Sequence, residues 1–274
     1  MYKRAVVFSL ENKHNKTVHA NGSSSYEKMA IALAASIREH MPDVDVYCGC
    51  FTNNRISNYA KTHLSRYNIH IVEDLIFDEV QSPLTALFLR SFTKHYFATK
   101  LLEKYDYLIY TDIDVLFLKP IEFNFDPTGN VVVVDSMAEW VKNFQRQYTD
   151  IPDGNVYYNW FDVINKNNAY IYDIDYIGSA LDNHNADLII TRRIDESGLT
   201  IIDQNFGGYH CFKELTKDSM VYHYDNLGSE SSFIRLKETH PAAFNKYMFL
   251  FEQVLGMKVS LQVGFWEKIR DQFS

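Results

Sequence analysis

The chain has little cysteine and lacks any long apolar run. Three of its 274 residues are cysteines, Cys48, Cys50 and Cys211. This odd number, with two of them too close for an easy bridge, indicates reduced thiols of an intracellular protein. No stretch is apolar over the length that spans a bilayer, and the first residues lack the apolar region of a signal peptide. We therefore expect a cytoplasmic protein without a transmembrane segment.

Positive charge is also scarce. Lysine and arginine total 27 against 35 acidic residues, which gives a net charge of -8. Proteins that bind duplex nucleic acid need a basic face, so the composition argues against that class. It is compatible with a nucleotide, whose phosphates a metal ion and one or two cations can neutralise locally.

Short apolar strands alternate with helical patterns in the first part of the chain. Strands are predicted over 5–10, 44–51 and 69–72, and helices over 26–40, 55–67 and 84–103. Such alternation with short connections is typical of parallel strands covered by helices on both faces. We expect an α/β fold with a central, mostly parallel sheet. The alternation ends after residue 135.

The segment 137–176 is rich in aromatic residues mixed with Asn and Asp. Exposed aromatic rings stack on sugar faces, so the composition suits carbohydrate binding. Ordinary packing of an irregular region is the alternative. The tail 244–274 carries apolar residues that predict a helix packed on the core, with a helix at a partner or membrane surface as the alternative.

Two carboxylates follow the apolar run Tyr107-Leu108-Ile109-Tyr110-Thr111. Asp112 and Asp114 are spaced so that both side chains point to one side of an extended chain. At the carboxyl end of a strand they can converge on one hard divalent cation such as Mg²⁺ or Mn²⁺. The alternative is a surface turn, where Asp is common.

Ligands of open α/β sheets bind outside the carboxyl ends of the strands. Asp112 falls at such an end, and so do Ser9 and Leu10 at the end of the first strand. The helix predicted over 84–103 runs down the sheet before the strand climbs back to Asp112. When the length of the helix is matched to the length of the strand, Arg90 and Lys94 are the cations of the helix nearest the metal. We expect these two cations to face the phosphates, with a solvated helix face as the alternative.

The block from Tyr105 to Leu116, followed by Lys119 and Pro120, resembles the metal-binding block of GT-A-fold glycosyltransferases, in particular family 8-like enzymes. The helix predicted over 26–37, the Asp203-Gln204-Asn205 element and His223 are similar to further family elements in the same order. The resemblance covers roughly residues 4–235. It implies one GT-A-like, Rossmann-like domain over 1–274: a nucleotide-sugar-binding half (1–135), an acceptor-side half (136–235) and a helical tail (236–274).

The resemblance also implies site residues and substrates. Asp112, Asp114 and His223 would hold Mn²⁺ or Mg²⁺, and Asp112 and Ile113 would contact the donor. The donor would be a nucleotide sugar, with UDP as the expected nucleotide, and the acceptor a hydroxyl of a glycan, protein or small molecule. Asp203 and Gln204 would face the transferred sugar.

The catalytic mechanism is open between inversion and retention. An inverting enzyme needs a carboxylate to deprotonate the acceptor hydroxyl, and Asp203 and then Asp135 are the candidates. The Asp203-Gln204 pair favours retention, in which Gln204 would sit behind the anomeric carbon.

Two further function classes remain as alternatives. Asp112 and Asp114 also match the nucleophile block of haloacid-dehalogenase-like phosphatases, although no later metal cluster of that type follows. The other alternative is a GT-A-like protein that binds a sugar or nucleotide without turnover.

Overall fold

The computed structural model describes residues 2–11, 24–51, 56–73, 85–147, 153–173, 186–204, 207–209, 215–224 and 233–259. The helices within these ranges are α1 (Ser25–His40), α2 (Asn58–Arg66), α3 (Thr85–Leu101), α4 (Glu139–Gln145), α5 (Ala186–Glu196), α6 (Ile234–Thr239) and α7 (Pro241–Phe249). A 3₁₀ turn covers Ala169–Tyr172, and a π-helical turn at Leu250–Val254 continues α7. No helix of the described ranges has both the length and the apolarity needed to cross a bilayer.

The strands form one central sheet and two smaller ones. They are β1 (Arg4–Glu11), β2 (Asp45–Phe51), β3 (Ile69–Val72), β4 (Tyr107–Thr111), β5 (Val115–Phe117), β6 (Val131–Ser136), β7 (Tyr157–Tyr158), β8 (Phe161–Asn165), β9 (Thr200–Asp203), β10 (Gly207–Tyr209) and β11 (Val221–His223). The central order is β3-β2-β1-β4-β8. Its first four strands are parallel, and β8 is antiparallel to β4.

The predicted fold class is confirmed: the protein is α/β, with a mixed but mostly parallel central sheet flanked by helices. The strand order reverses between β1 and β4. From β1 the chain adds β2 and then β3 on one side, and β4 is placed on the opposite side of β1. In open α/β sheets, ligands bind in the crevice at such a reversal, outside the carboxyl ends of the strands. Glu11 and Asp112 mark this position.

The apolar pattern of β1 explains why helices cover both faces of the sheet. Residues 5–10 are all buried, and alternate side chains enter different core clusters. Val6, Phe8 and Leu10 pack with α1, whereas Ala5 and Val7 pack with α3. A strand buried on both faces is expected in a parallel sheet.

The amino termini of α1 and α2 are joined by one carboxylate. Ser24 and Glu27 form a capping box at the start of α1. The buried Glu27 also accepts hydrogen bonds from the backbone N–H and hydroxyl of Ser57, which caps α2. Both helices therefore begin at a fixed position near the carboxyl edge of the sheet.

The short strand β5 is held between α1 and β11. The buried Ser36 hydroxyl of α1 accepts a hydrogen bond from the Phe117 N–H at 3.0 Å and donates to the carbonyl of Leu33. On its other side β5 pairs antiparallel with β11, which sets Val115 opposite His223. These contacts fix the chain that leaves the Asp112–Asp114 segment.

The tail packs on the core over its described part. Phe244, Tyr247 and Met248 of α7 are buried, and the Tyr247 hydroxyl donates to Glu39 of α1. This confirms the packed-helix interpretation of the tail for residues 244–254. Residues 255–259 are not helical, and residues 260–274 lie outside the described ranges.

Packing also accounts for most of the aromatic segment. Among its described aromatic residues, Tyr157, Tyr158, Trp160, Phe161 and Tyr172 are buried, while Tyr170 is half exposed.

Candidate metal centre

Asp112 and Asp114 follow directly from the buried strand β4. The Asp112 N–H donates to the carbonyl of Trp160 at 2.9 Å. This hydrogen bond extends the pairing of β4 and β8 by one residue on each strand. The Asp114 carbonyl accepts from the N–H of Tyr224 at 3.0 Å. The backbone of both aspartates is thus held by hydrogen bonds to neighbouring segments.

The antiparallel register of β5 and β11 brings His223 to this segment. The register sets His223 opposite Val115, the residue that follows Asp114. The Nε2 atom of His223 is 3.0 Å from Oδ1 of Asp114. Asp112 and His223 are buried, and Asp114 is partly exposed, so the group opens to solvent on the Asp114 side.

The three side chains come close enough together that they could hold a small cation. One ligand atom from each of Asp112, Asp114 and His223 lies within 4.8 Å of the others. Adjacent ligands of an octahedral ion with bonds of about 2.1 Å are about 3 Å apart, which matches the Asp114–His223 separation. Two carboxylates with one imidazole suit Mn²⁺ better than Mg²⁺.

Trp160 supports His223 from the ring face. The two rings are stacked with centroids 4.9 Å apart. The indole N–H of Trp160 in turn donates to Oδ2 of the fully buried Asp135 at 3.1 Å. Asp135 therefore acts on the candidate site through Trp160, and its burial separates it from a surface where an acceptor could bind.

Lys94 lies beneath the site and not at its rim. Its ammonium is fully buried, 2.5 Å from Oδ2 of Asp162, and also donates to the Asn159 side chain. It sits 4.3 Å from the ring centroid of Tyr110. Burial lowers the pKa of Lys94, while the charges of Asp162 and then Asp112 oppose this shift.

The expected contact between Lys94 and phosphates would thus compete with an existing buried ion pair. Arg90 lies on α3, but its side chain is outside the described part of the chain. Its role toward phosphates stays a prediction.

Ser9, Leu10 and Ile113 are turned toward the protein. The Ser9 hydroxyl is 2.8 Å from the hydroxyl of Tyr110. Leu10 is buried in the core, and Ile113 packs against the same cluster. Their side chains therefore serve packing, and their expected contact with a nucleotide stays a prediction.

Asp203 and Gln204 lie at the end of β9, which pairs with β6. Asp203 is exposed at the end of β9, and its carboxylate accepts from the Ser136 N–H at 3.1 Å. Both residues line a surface pocket with Glu122 and Asn124. Within the described ranges, no hydrogen bond or ion pair joins them to the three candidate metal ligands. Their expected role at the transferred sugar remains a prediction.

Sequence reasoning missed Trp160, Asn159 and Asp162. One available signal was Asp162 itself, which interrupts the apolar strand β8 and is buried. A buried carboxylate requires a cation or donors, so its presence in such a strand predicts a partner such as Lys94.

Comparison with known proteins adds no family: no protein-family model matches this chain, and neither does any curated protein. The functional argument therefore depends on the geometry of the Asp112–Asp114–His223 site.

Proposed function

We propose that this protein is a metal-dependent glycosyltransferase of the GT-A fold, which transfers a sugar from a nucleoside-diphosphate donor, UDP in the first instance, to a hydroxyl acceptor. The observation that carries the proposal is the convergence of Asp112, Asp114 and His223 at the carboxyl edge of a mostly parallel sheet. The site lies beside the reversal of strand order, where nucleotides bind in open α/β sheets.

Each of the three side chains has a defined task in this proposal. Asp112 and Asp114 supply hard oxygen ligands, and His223 supplies a neutral imidazole nitrogen. A bound Mn²⁺ or Mg²⁺ ion would neutralise the negative charge that develops on the leaving diphosphate. Since His223 and Asp114 are in contact at 3.0 Å, any proton between them must leave before both can act as ligands.

Trp160 and the backbone hold these ligands in position. Stacking on Trp160 limits rotation of the His223 ring, and the bonds of Asp112 and Asp114 to neighbouring strands fix their backbone. Supporting contacts of this kind commonly raise metal affinity about 10- to 100-fold. The preorganised arrangement is what charge stabilisation requires.

The experiment is a screen of nucleotide sugars for Mn²⁺-dependent hydrolysis, since glycosyltransferases transfer sugar to water slowly when no acceptor is present. We expect release of free sugar and nucleoside diphosphate by the wild type, and loss of this activity in Asp114→Asn. The matched control is Asp218→Asn, because Asp218 is fully exposed and its ion pair is with Lys119.

The alternatives give different products. Release of inorganic phosphate from phosphate esters would identify a phosphatase. Binding of a nucleotide sugar without hydrolysis or transfer would indicate a non-catalytic protein. Failure of Mn²⁺ to bind the wild type would overturn the proposal.

A further inference from the structure

Lys28 is a buried cation without an anionic partner among the described residues. It is 2% exposed, and no hydrogen bond or ion pair of its ammonium occurs there. The other two buried lysines of the described ranges differ. Lys94 contacts Asp162, and Lys142 contacts Glu139 at 2.5 Å. Burial lowers the pKa of Lys28.

The neighbouring carboxylate does not serve Lys28. Glu27 is engaged by the backbone N–H of Ser24 and by the N–H and hydroxyl of Ser57. The Lys28 ammonium instead lies next to Gly256, 4.0 Å from the position that a Cβ would take on that residue. Gly256 has a φ of +62°, which favours glycine, and follows the π-helical turn.

Lys28 lies near the amino terminus of α1, eight residues before Ser36. The hydrogen bond from Phe117 to Ser36 sets α1 level with β5 at that point. From Ser36 back to Lys28 the helix rises about 12 Å, toward the amino terminus that Glu27 joins to the start of α2. Lys28 is therefore in the first turn of α1, near the carboxyl edge of the sheet.

An unpartnered ammonium in a buried position is unfavourable for the free protein. Its position near the carboxyl edge is where open α/β sheets bind phosphate groups. A charge kept at the expense of stability is expected where a ligand supplies the missing counter-charge.

We propose that Lys28 is an anion-binding residue, whose ammonium takes a phosphate group at the carboxyl edge between α1 and the segment that contains Gly256. The ligand class is a phosphate oxyanion, either the diphosphate held by the metal or a separate phosphate group. Only the coupling of this anion to the metal rests on the proposed function.

The test uses inorganic pyrophosphate as the probe, with the full chain and the variant Lys28→Met. Titration calorimetry with and without Mn²⁺ measures the affinity, and thermal unfolding measures Tm. We expect Lys28→Met to weaken pyrophosphate binding roughly 10- to 100-fold, as for loss of a hydrogen bond to a charged group. The Tm of the free variant should rise, while its affinity for Mn²⁺ alone stays unchanged.

Lys61→Met is the matched control, because Lys61 lies on α2 and is already paired with Glu73 at 2.8 Å. It should leave pyrophosphate binding unchanged. The alternative structural role of Lys28 is to stabilise the carboxyl end of the π-helical turn through its dipole. In that case Lys28→Met would lower Tm and leave pyrophosphate binding intact, which would overturn the proposal.

The arms with and without metal separate the two anion sources. If Lys28-dependent pyrophosphate binding is tighter in the presence of Mn²⁺ than in its absence, the anion is the diphosphate held by the metal. If the two affinities are equal, the anion is a separate phosphate group. Both results support the anion site. If the wild type does not bind Mn²⁺ but binds pyrophosphate in a Lys28-dependent way, only the proposed function is overturned. Mn²⁺-dependent sugar release that is insensitive to Lys28→Met, with unchanged pyrophosphate affinity, would defeat the anion site alone.

Discussion

The ammonium of Lys94 lies 2.5 Å from Oδ2 of Asp162, and both side chains are buried. Asp162 also accepts from the Tyr172 hydroxyl at 3.0 Å through its other oxygen. The pair connects α3 to β8 directly beneath the strand that leads to Asp112. It makes Lys94 a residue that holds the sheet and its helix together, and its expected contact with phosphates stays a prediction.

The Lys94–Asp162 pair predicts a strong and non-additive effect on stability. Lys94→Met should lower the free energy of unfolding by about 3–5 kcal/mol, because it leaves a buried carboxylate without its cation. The double variant Lys94→Met/Asp162→Asn should lose clearly less than the sum of the single variants. Urea unfolding of all four proteins measures this coupling. Strict additivity would show that the pair does not interact in solution.

His223 is expected to be required for metal affinity but not for folding. His223→Gln should weaken Mn²⁺ binding by at least about 100-fold, since removal of a ligand exceeds the effect of removing a supporting contact. Its far-ultraviolet circular dichroism should match that of the wild type. Calorimetric titration with Mn²⁺ gives the affinity, and His63→Gln on α2 is the control. Equal Mn²⁺ affinity in both variants would remove His223 from the site.

Trp160 is expected to affect both stability and the site. Trp160→Phe keeps an aromatic ring beside His223 but removes the indole donor to the buried Asp135. The free energy of unfolding should fall by about 1–3 kcal/mol. The affinity for Mn²⁺ should also fall, because the His223 ring can rotate more freely. A stability loss with unaltered Mn²⁺ affinity would limit Trp160 to packing.

Ser36 tests the attachment of β5 to α1. Ser36→Ala should lower the free energy of unfolding by about 1–3 kcal/mol, because the buried Phe117 N–H loses its acceptor. Ser65→Ala on α2 removes a comparable but exposed hydroxyl and should change it by less than about 0.5 kcal/mol. Chemical denaturation compares the two variants. Similar values for both would show that the Ser36–Phe117 bond is replaced when it is lost.

Lys28 predicts a specific dependence of stability on alkaline pH. Because the folded-state pKa of Lys28 is lowered, the unfolded chain holds this proton to a higher pH than the folded protein does. Stability therefore rises with pH in the interval between the two pKa values. The Tm deficit of the wild type relative to Lys28→Met, present at pH 7, should shrink as pH approaches about 10. A constant Tm difference over this interval would contradict a buried, charged Lys28.

The fold class follows from the sequence because apolar spacing reports which faces a segment buries. The helix predicted over 26–40 is observed at Ser25–His40, and the strand predicted over 69–72 is Ile69–Val72. The helix predicted over 84–103 is Thr85–Leu101. After residue 135 the strands are short and pair antiparallel or in separate sheets, so local periodicity no longer identifies their partners.

The candidate site was predictable in part. Asp112 and Asp114 were indicated by the apolar strand before them, which is a local property of the chain. His223 was indicated only by resemblance to a family, since its neighbourhood depends on the pairing of β5 with β11. The pairing of Lys94 with Asp162 depends on the antiparallel placement of β8 beside β4, which local periodicity does not specify.

The sequence by itself determined the alternation of strands and helices, and the position of two carboxylates at the end of a buried strand. Both depend on residues that are neighbours along the chain. Only the tertiary structure decided that His223 contacts Asp114, that Lys94 pairs with Asp162 and that Lys28 is buried with no anionic partner among the described residues. These relationships depend on register and packing between segments up to about a hundred residues apart, and such contacts leave no periodic signal in a single sequence.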